Sequence, residues 1–68
     1  MPDPTRFAGY PSPGMVAEDQ ALTREQKVSA LLAWRAMLRR ATAAERALHA
    51  GLAEEIEQAL ETARAAER

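Results

Sequence analysis

From Arg24 to about Arg40 the chain carries no Gly or Pro, and Val28, Leu31, Leu32, Trp34 and Leu38 return at helical intervals. That spacing lays a broad apolar face along one side of a helix. Thr23 and Gln26 stand at capping-box spacing just before it, with Leu22 ahead of them as a staple residue, so the helix is predicted to open at Arg24. A second segment, from about Ala43 to Ala65, repeats the pattern with Leu48, Leu52, Ile56, Leu60 and Ala63. Thr42 and Glu45 repeat the capping-box spacing at its start, and Arg39-Arg40 suits the end of the first helix, where cations meet the negative pole of the helix dipole. Gly51 within the second segment costs about 1 kcal/mol against alanine and leaves room for close helix approach.

No Gly or Pro marks a turn between Ala41 and Ala44, so two all-α architectures are open. One is a helical hairpin of two main helices, 24–40 and 43–65, after an extended N-terminal arm. The other is a single continuous rod, roughly 60 Å long at 1.5 Å per residue. Charge favours the hairpin. Residues 24–40 hold Arg24, Lys27, Arg35, Arg39 and Arg40 against Glu25, net +4. Residues 43–68 hold Glu45, Glu54, Glu55, Glu57, Glu61 and Glu67 against Arg46, Arg64 and Arg68, net -3. Segments of opposite sign gain by lying side by side, although each surface pair is weak.

Before these helices the pattern is lost. Pro2, Pro4, Gly9 and Pro11 interrupt the first eleven residues, which read as an extended, mobile arm. Phe7 and Tyr10 are its bulky side chains; they belong either to a loose tail, the simpler reading, or to pins holding the arm on the helical body. Ser12-Pro13-Gly14 looks like a helix start, with Ser12 as cap and Pro13 in the first turn, leading into a short turn over Met15 to Asp19.

At 68 residues the chain is one small domain. Much of its 47% apolar content is alanine, so large side chains for a core are few. Chains this short usually rely on a staple, and the absence of Cys removes disulfides and thiolate metal sites. Association is the remaining way to bury more surface, hence the expectation of a homodimer. The face predicted to serve it, within the chain or between copies, comprises Leu31, Trp34, Leu38, Leu48, Leu52, Ile56 and Leu60. Trp34 can be a core ring or an interface anchor, since Trp is enriched at binding hot spots. The N-terminus has no basic segment followed by an apolar run, and no stretch approaches 18 apolar residues, so the expected setting is cytoplasmic without a membrane span.

Candidate chemistry is sparse. His49 has Glu45 one helical turn before it, but two ligands make no metal site. Glu54, Glu55, Glu57 and Glu61 read as a solvated face rather than paired acid–base carboxylates. No nucleophile–base set, phosphate-binding Gly loop or metal-ligand cluster is present in the sequence, so the chain is expected to be non-enzymatic, with no cofactor. Lys27, Arg35, Arg39 and Arg40 offer an alternative, a basic face for nucleic acid, against which the net charge of -1 counts.

Ser12-Pro13, Val16, Asp19, Leu22-Thr23-Arg24-Glu25-Gln26-Lys27, Leu31-Leu32 and Trp34 resemble the pattern of a group of short, uncharacterised alphaproteobacterial proteins. The similarity covers Phe7 to Leu38, about half the chain. Many members carry an acid shortly after the Trp, where this chain has Arg35, Ala36 and Met37. The resemblance implies a bacterial, small helical protein and brings no activity or catalytic residues with it. The functional expectation is a helical self-association or protein-interaction module, or an adaptor for a larger protein in which Phe7, Tyr10 and Trp34 make the contact.

Overall fold

Residue 7 and residues 9–65 are described by a computed structural model. Within them the chain forms α1 (Pro13–Glu18), α2 (Arg24–Arg39), α3 (Ala43–Leu48) and α4 (Ala50–Ala65). The fold is all-α among the described residues, with no helix long and apolar enough to cross a membrane. α4 packs against both α1 and α2, and α1 also touches α2.

The helix starts follow from side chains that satisfy orphaned backbone groups. At α2, Thr23 Oγ1 accepts from the Gln26 N–H at 3.1 Å and Gln26 Oε1 accepts from the Thr23 N–H at 2.9 Å. At α3 the Glu45 N–H donates to Thr42 Oγ1 at 3.1 Å and the Thr42 N–H to Glu45 Oε1 at 3.0 Å. α1 differs from expectation in its cap: Pro13 does sit in the first turn, but the Ser12 side chain makes no capping bond. The Ser12 carbonyl accepts from the Met15 N–H at 3.1 Å instead.

The predicted second helix, 43–65, is two helices. His49, at φ -116° and ψ 43°, breaks it after one and a half turns. Register supplies the physical reason. Arg24 lies beside Arg64 and Arg35 beside Glu57, which sets the end of α2 level with about Ala50. A straight helix from Ala43 would place Ala43 ~10 Å beyond that level and a further 8–10 Å across to the neighbouring axis. The link from Arg40 to Ala43 spans at most ~11 Å, so the chain turns instead. Arg46 secures the turn, donating from Nη1 to the Arg39 carbonyl at 3.0 Å and to the Ala41 carbonyl at 2.9 Å. These are carbonyls that the end of α2 leaves without helical partners. The alternative of one continuous rod fails at the same place, because Ala41 and Thr42 lie outside any helix.

The core lies between α1, α2 and α4: Val16 and Ala17, then Leu31, Trp34 and Leu38, then Leu52, Ile56, Ala59, Leu60 and Ala63. The α4 positions recur at four, three, one and three residues, the stripe of an amphipathic helix. Small side chains among the large ones suit three helices at close spacing. α3 contributes no buried residue.

Of the expected arm, residues 1–6 and 8 lie outside the described residues. Phe7 and Tyr10 exchange backbone hydrogen bonds, Phe7 N to Tyr10 O at 3.2 Å and Tyr10 N to Phe7 O at 2.8 Å. Gly9 turns the chain between them at φ +87°, a conformation that a Cβ disfavours. The Phe7 ring stacks on Trp34, centroids 5.8 Å apart and planes at 23°. The aromatics therefore lie on the helical body, where the simpler reading placed a loose tail.

Candidate protein-interaction surface

Six of the seven residues expected to meet a partner are buried together in the core of the single chain: Leu31, Trp34, Leu38, Leu52, Ile56 and Leu60. Trp34 has no exposed surface. Leu48 is the exception: it is 77% exposed on α3. The turn at His49 ends the shared periodicity, so Leu48 no longer precedes Leu52 on the same helical face.

What remains outside is a different set of apolar side chains. Val28 and Leu32, half-buried on the flank of α2, line an open groove of about 440 Å³ with Arg24, Glu25 and Ser29 of α2 and Arg64 of α4. Arg24 donates to the Arg64 carbonyl across its end at 3.5 Å. On α3, Ala44, Ala47 and Leu48 are exposed and stand at three- and four-residue spacing, forming a small apolar ridge. A second groove, of about 390 Å³, runs between Pro11 and Pro13 on one side and His49, Gly51, Glu54 and Glu55 on the other. Sequence reasoning missed the first groove, although its signal was present: the apolar face of α2 is wider than one packing seam requires.

The expected charge attraction between the helices takes a concrete form in Arg35 and Glu57, whose Nη1 and Oε2 are 3.2 Å apart. Glu57 is exposed and Arg35 partly so, so solvent and salt screen the pair and it contributes at most about 1 kcal/mol. The basic face proposed for nucleic acid is dispersed. Lys27 acts on Asp19, Arg35 is engaged by Glu57, and Arg40 stands about 100° round the helix from Arg39.

The Tyr10 hydroxyl donates to Asp19 Oδ2, and Asp19 Oδ1 accepts from the Ala21 N–H at 2.9 Å. The Tyr10 hydrogen bond and then the Ala21 N–H hold the Asp19 carboxyl below its ordinary pKa against the opposing effect of burial, with the charge of Lys27 adding least. The same hydrogen bond, with burial and the Asp19 charge, raises the Tyr10 pKa. These groups fix the segment that covers Trp34.

The Glu45 carboxylate is committed to the Thr42 N–H, and the His49 N–H to the Glu45 carbonyl at 3.0 Å. No three His, Cys, Asp or Glu side chains gather at metal-binding distance among the described residues. Set beside protein-family models, curated proteins and solved structures, the chain matches none of them.

Proposed function

We propose that the chain is a non-enzymatic helical module that binds another protein through the outside of its helices. The observation that carries this reading is the groove over Val28 and Leu32. These two large apolar side chains pack against the core on one side and on the other line a depression open to solvent, with Arg24, Arg64 and Glu25 on its rim. Binding sites are concave and largely apolar, with a few placed polar groups. With Trp34 buried, this reading takes the flank of α2 as the contact.

Affinity capture from native lysate tests the reading, with the unmodified chain compared against Leu32→Glu and Leu48→Glu. A partner retained by the unmodified chain and lost from either variant supports it. Identical profiles for all three remove it.

Self-association is a second form of the reading, favoured by the Ala44–Ala47–Leu48 ridge. A six-residue helix is far too short to hold alone in water, and no residue of α3 is buried within the chain. Packing two ridges together would supply that burial. Light scattering across a concentration series decides this form. A monomer throughout eliminates it, whereas a dimer lost in Leu48→Glu supports it.

A further inference from the structure

We propose that the occupant of the Val28–Leu32 groove is an acidic amphipathic helix of another protein; this rests on the interaction-module reading and names its partner. Arg24, Val28, Leu32, Arg35 and Arg39 follow one another along α2 at three- and four-residue steps, so they share one edge of the helix. Arg35 is taken by Glu57. The edge therefore presents exposed cations at its ends, Arg24 with Arg64 at one and Arg39 at the other, and apolar side chains between them. Arg24 and Arg39 are ~22 Å apart along the axis, the length of about four helical turns. The complementary ligand is a helix with apolar side chains four residues apart at its centre and carboxylates toward both ends. Helix-in-groove recognition takes this form, with apolar anchors for affinity and complementary charge for orientation and partner choice.

Charge argues against a second copy at this place. Two copies meeting through the same edge oppose cations to cations. The outer face of α4 has the acids Glu54, Glu55 and Glu61, but Gln58 and Thr62 stand between them and no large apolar side chain fills the groove. Glu25 also lines the groove, so the partner's carboxylates stand over Arg24, Arg64 and Arg39 rather than over it, whereas a nucleic acid would lay its backbone phosphates across an apolar floor.

A fluorescein-labelled helical peptide of about four turns, with central leucines four apart and glutamates around them, tests the proposal by anisotropy titration. Saturable binding is expected, weakened by added salt and absent when lysines replace the glutamates. Reversing the two exposed rim charges, Arg24→Glu with Arg64→Glu, is expected to weaken it about tenfold or more. Leu32→Glu is expected to abolish it, and Leu48→Glu to leave it unchanged. Circular dichroism reports folding, and the rim variant keeps the test open should Leu32→Glu unfold. Absent binding, binding indifferent to the rim reversal, displacement of the peptide by duplex DNA, or self-association that Leu32→Glu abolishes would each overturn the proposal. Native-lysate capture lost in Leu48→Glu but kept in Leu32→Glu would also overturn it, while leaving the module reading intact.

Discussion

Phe7 lies stacked on Trp34, so a ring from the non-helical start of the chain covers a fully buried ring of α2. Stacked aromatic pairs contribute about 0.5–1.5 kcal/mol beyond the area they bury. Phe7→Ala is expected to lower stability by about 2 kcal/mol, less than for a fully buried ring because Phe7 is only half-buried. It should also shift Trp34 fluorescence to the red as water reaches the indole. Urea denaturation followed by that fluorescence measures both effects, and an unshifted spectrum would contradict the stacking.

Tyr10 and Asp19 make stability depend on pH at both ends of the scale. The Asp19 pKa is lowered in the folded chain, so its contribution is present above the ordinary carboxylate pKa and is lost as pH falls through the lowered one. The Tyr10 pKa is raised, so its contribution is present below the ordinary phenol pKa and is lost as pH rises through the raised one. Tyr10→Phe should flatten the alkaline limb and shift the acid limb, and Asp19→Asn should flatten the acid limb. Thermal melts from acid to alkaline pH read this directly.

Leu48 and Ile56 separate two accounts of the second helical segment. If the segment were one amphipathic helix, truncating either would empty part of the core. In the observed fold Leu48→Ala should change stability by less than about 0.5 kcal/mol, as exposed substitutions usually do. Ile56→Ala should cost about 2–5 kcal/mol. Equal losses in chemical denaturation would put Leu48 back in the core.

Thr42 and Arg46 hold the link between α2 and α3. Thr42→Ala removes an N-cap and should cost about 1 kcal/mol. Arg46→Ala leaves the Arg39 and Ala41 carbonyls to water and should cost less, since both hydrogen bonds lie at the exposed surface. Amide exchange should quicken across α3 in both variants and stay slow at Leu31 and Ile56.

The capping boxes at Thr23 and Thr42 and the periodicity of α2 were legible because each depends on residues within one or two turns of one another. The break at His49 was not. A spacing of four from Leu48 to Leu52 is the same whether the helix continues or stops, and the decision rests on how far the link from Arg40 to Ala43 reaches beyond the end of α2. Tyr10 and Asp19 are nine residues apart across a turn, beyond the range of any local pattern. For the candidate site, apolar spacing identified which side chains want burial but not which are satisfied inside the chain. Leu31, Trp34 and Ile56 took the interior, and Val28 and Leu32 were left at its edge.

Because α3 lends nothing to the interior, the stretch from Ala43 to Leu48 is the place where chain length is free to vary. Its start is held by the Thr42–Glu45 capping box and its end by the His49 backbone N–H rather than by packed side chains, so extra residues inserted there need not disturb the α1–α2–α4 interior. The same stretch offers a site for opening the chain, as in circular permutation, or for grafting a tag or a second domain onto this small scaffold.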